Sequence, residues 1–239
     1  MEAEYNIADF RRPDPGSPGA ALDNADLQPT LHVGKPAPDF DLVSVDGGRV
    51  RLSDVTRDRH VALIFGAITS PVTATTLPEL NRLYEYFRWR GVEFLFIYTR
   101  EPHPGDVYPH HTSMEQKIGV ARELQKLEEI RFPVLVDELD GRTHLAYGPS
   151  PNPAFVVGKN GRLMYRARHA DASTLKEYLE HLLLWDQVQA QGLPTHNMYL
   201  EEVRFIIPDG PLHKKIVSRA GPKAVREMQA SFGESSHLT

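Results

Sequence analysis

His60-Val61-Ala62-Leu63-Ile64-Phe65-Gly66-Ala67-Ile68-Thr69-Ser70-Pro71 is an apolar run that ends in a polar turn. Val61 to Phe65 is an unbroken apolar run with β-branched members, the pattern of a strand covered on both faces in a parallel or mixed sheet. The run breaks at Gly66 and reaches Thr69, Ser70 and Pro71, so a turn sits at the strand's carboxyl end, where open α/β sheets place ligands. Beyond it Leu77, Leu80, Leu83, Tyr84 and Phe87 recur at helical spacing as far as Arg90. Pro78 interrupts this pattern and leaves two starts open: a box of Thr76 and Glu79, or a helix from about Pro71 that Pro78 kinks. Gly91 ends the helix, and Val92 to Tyr98 is a second buried strand. Strand, helix and strand in this order make a crossover unit of a parallel sheet, right-handed by rule.

Ahead of this unit, Asp46-Gly47-Gly48 turns a hairpin between a short strand after Pro38 and a second one at Val50-Arg51-Leu52, with Ser53-Asp54 closing it. After Tyr98 comes a long loop, Thr99 to Ser113, of a length that is usually functional or disordered. A helix capped by Thr112 or Ser113 follows, with Ile118, Ala121, Leu124 and Leu127 as its expected buried stripe. Phe132 to Val136 is the third strand. Then come a helical piece around Thr143 to Tyr147, a turn at Pro149-Ser150-Pro151-Asn152-Pro153, and a hairpin of Ala154 to Val157 with Leu163 to Tyr165 around Lys159-Asn160-Gly161. Residues 173 to about 190 read as a last amphipathic helix, with Leu175, Tyr178, Leu179, Leu182 and Leu183 on one side. An extra strand is expected at Val203 to Ile207, ahead of a basic helical tail. Three parts result: an amino-terminal arm over residues 1–30, rich in turn formers and poor in large apolar groups, a domain over 31–190, and an extension over 191–239.

Composition removes several functions. The 239 residues are enough to bury a core without a disulfide or a structural metal. A net charge of −5 supplies no basic field for nucleic acid or an anionic membrane, so neither is expected as a partner. No run is long or apolar enough for a membrane span, and Met1 to Arg12 has no apolar signal core, so a soluble, cytoplasmic protein is expected. The chain contains no cysteine, which excludes disulfides, thiolate metal sites and any thiol cycle carried by this chain alone.

The order hairpin, β, α, β, α, β, hairpin, α over residues 33 to 184 resembles the thioredoxin-fold redoxin group, which contains the peroxiredoxins and the iodothyronine deiodinases. The implied fold class is α/β, a central mixed sheet with helices on both faces. Val33-Gly34-Lys35-Pro36-Ala37-Pro38-Asp39-Phe40 is similar to a common opening of peroxiredoxin-like chains, and Pro153 falls where many members carry a cis proline. Phe65-Gly66-Ala67-Ile68-Thr69-Ser70-Pro71 resembles the reactive turn of the deiodinases, with serine in the place of selenocysteine or cysteine. Ile97 to Pro104 and Pro109 to Ser113 resemble the family's Tyr, Glu, His and Pro loop and the histidine-bearing segment after it.

That resemblance implies a catalytic set of Ser70, Thr69, Glu101, His103 and His111, with Tyr98, Pro153, Arg166 and Arg168 about the ligand. It also places Thr73 at the position of a resolving thiol and Ile68 where a further cysteine is often found. A family nucleophile must be soft, largely anionic and able to pass through an oxidised state, and a serine hydroxyl has no such ladder. Each residue also has a plainer reading. Ser70 and Thr69 suit a helix cap, Glu101 and His103 suit either an acid/base pair or a loop brace, and Arg166, Arg168 and His169 suit a solvated face. Histidines 103, 110 and 111 are read as solvated or structural, so neither a metal nor a cofactor is expected. The expected function is a non-redox pocket for a small aromatic or acidic ligand, or for a partner protein. The alternatives are non-redox acid/base chemistry by Ser70 with Glu101, His103 and His111, or residual deiodinase or peroxiredoxin-type activity with external thiols. The terminal extensions are candidates for lids or for subunit contacts, and a homodimer is the candidate assembly.

Overall fold

A computed structural model describes residues 31–148, 150, 152–202 and 206–232. The eight strands are β1 (Asp41–Ser44), β2 (Arg49–Arg51), β3 (His60–Gly66), β4 (Val92–Tyr98), β5 (Val134–Val136), β6 (Ala154–Val157), β7 (Leu163–Ala167) and β8 (Leu200–Glu202). The helices are α1 (Leu52–Val55), α2 (Pro71–Phe87), α3 (Met114–Leu127), α4 (Arg142–Tyr147), α5 (Ala172–Ala190), α6 (Gly210–Arg219) and α7 (Pro222–Phe232). One mixed sheet runs in the order β2-β1-β5-β4-β3-β6-β7-β8. The β3, β4 and β5 strands are mutually parallel at its centre, while β6 lies antiparallel to β3.

Because β3 is central, both its faces are buried, and its alternating side chains feed two separate cores. Ala62 and Ile64 pack with Leu77, Leu80 and Phe87 of α2, Leu124 of α3 and Leu175 and Leu179 of α5. Val61, Leu63 and Phe65 point the other way, towards Leu52 of α1, Tyr147 of α4 and the segment around Phe40. The thioredoxin-like architecture expected from the sequence is the one observed. The helix after β3 starts at Pro71 and continues through the exposed Pro78, so the Thr76 start is set aside.

Several local expectations are corrected. Ser53 and Asp54 lie in α1 and do not simply close the hairpin. On α3 the buried stripe is Lys117, Ala121 and Leu124, whereas Leu127 is half exposed. The added edge strand is Leu200–Glu202, parallel to β7; Val203 to Phe205 lie outside the described residues, and Ile206 and Ile207 belong to no strand. Residues 1–30, Pro149 and Pro151 also lie outside the described residues, and with them the expected arm. Among the described residues no peptide bond is cis, so the bond preceding Pro153 is trans.

Candidate functional site

The site is built where β3 hands over to α2. Ser70, in extended conformation, caps the helix: its Oγ accepts the Thr73 N–H at 3.2 Å, with Pro71 at the first helical position. Gly66, the last residue of β3, allows the first turn of α2 to come close. A Cβ there would lie 2.4 Å from the Thr73 hydroxyl and 2.9 Å from the Phe96 ring. Thr73 therefore reaches inward, and its Oγ1 donates to Asn152 Oδ1 at 2.6 Å. Ser70 Oγ donates to the same oxygen at 2.7 Å. All three residues are buried.

One residue back, Thr69 faces a second polar cluster. Its N–H and Oγ1 both donate to Glu101 Oε2, at 3.1 and 2.7 Å. The other carboxylate oxygen, Oε1, accepts from the Tyr98 hydroxyl and from His111 Nε2, the latter at 3.0 Å. An ionised carboxylate only accepts, so Nε2 of His111 carries the proton. Burial pushes the Glu101 carboxyl up, but the His111 bond and charge, with the bonds from Tyr98 and Thr69, more than offset this and hold it below the ordinary range. Burial, with Glu101 beside it, pushes the Tyr98 hydroxyl well up, so it stays a donor.

The structure thus brings Thr69, Tyr98, Glu101 and His111 into one network and keeps Ser70 in another. The sequence reading paired Glu101 with His103; the structure pairs its carboxylate with His111, while the His103 N–H donates to Thr69 Oγ1 at 3.2 Å. Ser70 and His103 meet instead along a cleft of about 160 Å3, lined also by Pro71, Val72, Pro102, Asn152, His169, Pro208 and His213. Pro153 stands next to Asn152 and its carbonyl is taken by the Phe65 N–H at 3.1 Å. Arg166 is not at the cleft: it pairs with Glu201 at 3.0 Å and donates to the Leu31 carbonyl. Arg168 is buried just beyond the end of β7, next to His169, and its N–H donates to the Glu202 carbonyl at 3.1 Å. Burial and the Arg168 charge bring the His169 imidazole down to about 4, and its Nδ1 accepts from the Ile206 N–H at 2.8 Å, so a neutral ring faces the cleft. Burial also lowers His213. A larger hollow of about 620 Å3 lies between Tyr86, Arg90, Lys159 and Leu184, at the opposite end of α2, about 25 Å of helix away from Ser70.

Three participants were not singled out from the sequence. Asn152 carries no signal on its own, being separated from Ser70 by 82 residues. Lys117 is fully buried behind the Glu101 cluster, its Nζ donating to the Glu138 carbonyl at 3.2 Å, and burial brings it down to about 8. Asp137 beside it is held by the Thr143 and His144 N–H groups at 3.1 Å each. No group of three or more metal-ligating side chains occurs among the described residues.

A central mixed sheet with a strand, a capped helix and a polar cluster at the strand's carboxyl end defines a thioredoxin-fold protein. A solved relative, the thioredoxin domain of a thiol-disulfide oxidoreductase from Bacteroides vulgatus, superposes with a TM-score of 0.52 at 15% identity, over 64% of this chain and 99% of that one. The model of the iodothyronine deiodinase family matches residues 22–184, and the chain belongs to that family. It is 30% identical over 177 residues to thyroxine 5-deiodinase of Mus musculus, covering 69% of this chain and 57% of that protein. It is likewise 30% identical over 132 residues to the thiol-disulfide oxidoreductase ResA of Geobacillus thermodenitrificans, 55% of this chain and 66% of that one. The chain thus spans a little over half the length of the deiodinases it matches. Among the described residues no helix is long and apolar enough to cross a membrane.

Proposed function

We propose that this chain is a redox-silent member of the family whose cleft beside Ser70 binds a small aromatic ligand without turning it over. The observation that carries this reading is the shared bond of the Ser70 and Thr73 hydroxyls to Asn152 Oδ1, in a chain with no cysteine. Reductive chemistry needs a soft nucleophile that cycles through an oxidised state, and oxygen at position 70 supplies neither property. Hydrolytic chemistry needs a base on the serine proton, and an amide carbonyl is not one. What remains at the site is recognition. Pro71, Val72, Pro102 and Pro208 offer apolar edges, and His103, His169 and His213 offer hydrogen-bonding rings in a concave setting of the kind that holds aromatic molecules.

The test is twofold. The purified chain, mixed with 4-iodophenol and dithiothreitol, is assayed for iodide release, and a second sample is assayed for hydroperoxide consumption. Neither reaction is expected. In parallel, 4-iodophenol is expected to raise the melting temperature in proportion to its concentration, and the His103→Ala variant to lose most of that rise. Turnover in either assay, or a melting temperature indifferent to the phenol, overturns the reading.

A further inference from the structure

The family match ends at residue 184, yet two of the residues lining the cleft, Pro208 and His213, come from the segment after it. We infer that α6, α7 and the residues leading into them from Ile206 form a fixed wall that closes the family's cleft down to a space for one aromatic ring.

Four separate attachments fix this wall. The Ile206 N–H donates to His169 Nδ1 at 2.8 Å, at the cleft itself. The Val107 N–H donates to the Ala220 carbonyl at 3.0 Å, and the Lys223 N–H donates to Asp106 Oδ2 at 2.8 Å, tying the junction of α6 and α7 to the long loop that also carries Pro102 and His103. Arg219 pairs with Glu128 at 2.9 Å beyond the end of α3. Val217, Ala220, Ala224 and Met228 are buried in the same core as Ile64 and Phe96. Gly105 shows how close the approach is: a Cβ there would lie 2.0 Å from the Ala220 carbonyl oxygen. A wall held by core packing and by these four polar attachments does not swing aside, so the space it leaves sets what enters. That space, about 160 Å3, compares with the roughly 150 Å3 in which an apolar cavity takes one benzene ring. His213, whose Nε2 meets Met228 Sδ at 3.0 Å, is the wall side chain with the most volume to remove.

The choice of an aromatic ring rests on the ligand reading above; the wall does not, and the experiment separates the two. On the full chain, Ser70→Cys is combined with His213→Ala or His213→Phe, and alkylation of residue 70 is timed with iodoacetamide and with a bulky fluorescein maleimide. The wall predicts that His213→Ala raises the bulky rate at least about fivefold while changing the small reagent's rate little, and that His213→Phe lowers both. In the Ser70 background, binding of 4-iodophenol and of the two-ring 4-phenoxyphenol is measured by calorimetry. The wild-type chain is expected to take only the single ring, and His213→Ala to gain the two-ring compound. Bulky alkylation that does not respond to either substitution at position 213 overturns the wall. A response in alkylation with no binding of any phenol keeps the wall and removes the ligand reading. Opposite signs for Ala and Phe distinguish a steric wall from general loosening, which would raise both rates in both variants.

Discussion

The hydroxyl of Ser70 lies 2.7 Å from Asn152 Oδ1, and the same oxygen takes the Thr73 hydroxyl at 2.6 Å. One amide, 82 positions along the chain, therefore satisfies both hydroxyls at the start of α2. Replacing Asn152 by Ala leaves two buried donors without an acceptor, each costing about 1–3 kcal/mol. The urea midpoint of Asn152→Ala is expected to fall, at unchanged slope, by the concentration that corresponds to several kcal/mol. A loss below about 0.5 kcal/mol would mean that water serves these groups as well as Asn152 does.

Ser70→Cys puts a thiol at the cap of α2, with the Thr73 N–H directed at it and the helix dipole behind it. Both favour the thiolate. At pH 7 its alkylation by iodoacetamide is expected to outpace that of free cysteine, with a midpoint below the ordinary thiol value of about 8.5. A thiol that reacts more slowly than free cysteine would show that the cap no longer faces an open cleft.

Glu101 makes stability depend on acid. Its folded carboxyl titrates below its ordinary value of 4.5, because His111, Tyr98 and Thr69 outweigh the effect of burial. The stabilisation is complete above that ordinary value and is lost as the pH falls through the lower, folded one. Thermal melts between pH 7 and pH 3 should show a steep acid limb in the wild type and a shallower one in Glu101→Gln. Parallel limbs would remove Glu101 as its cause.

Lys117 acts at the other end of the scale. Burial brings it from 10.5 down to about 8, so between these values the unfolded chain holds a proton that the folded one has released. Stability therefore rises with pH across that interval. Compared with Lys117→Met, the wild type should gain as the buffer goes from pH 8 to pH 10. A constant difference between the two proteins would contradict a neutral, buried amine.

Gly66 is where β3 and α2 touch. An added methyl would sit 2.4 Å from the Thr73 hydroxyl, so Gly66→Ala must push α2 outward or turn Thr73 away from Asn152, at about 1–3 kcal/mol. Thr73→Ala in the same chain should relieve much of that cost, a coupling that a double-mutant cycle reads directly. Strict additivity of the two changes would show that the methyl is met elsewhere.

What the sequence revealed depended on how local each signal was. The apolar run from Val61 to Phe65 and the helix beyond it carry periodic patterns, and they lie where those patterns put them. Glu101, Tyr98 and His111 fall within fourteen residues of one another, and the family resemblance grouped them, although it did not single out the bond between Glu101 and His111. Asn152 could not be found this way, because its role comes from the antiparallel pairing of β3 with β6, which brings the residues just before β6 beside the end of β3. Lys117 sits at a core position that a hydrophobic pattern assigns to an apolar residue; its carbonyl partner on Glu138 leaves no mark in composition. The edge strand at Leu200–Glu202 was not read for a related reason. Leu200, Glu201 and Glu202 have little strand character of their own and are held by backbone pairing to β7, while the more β-branched residues after them drew the reading.

The burial of Val217, Ala220 and Ala224 in the core that α2 also enters bears on how this protein can be handled. Cutting it back to the portion shared with its relatives would remove α6, which packs against α2, and open the core to which Val217, Ala220 and Ala224 belong. Such a shortened version should clump or melt early. Whatever assay is applied to it, the part that looks dispensable by ancestry has to travel with the rest.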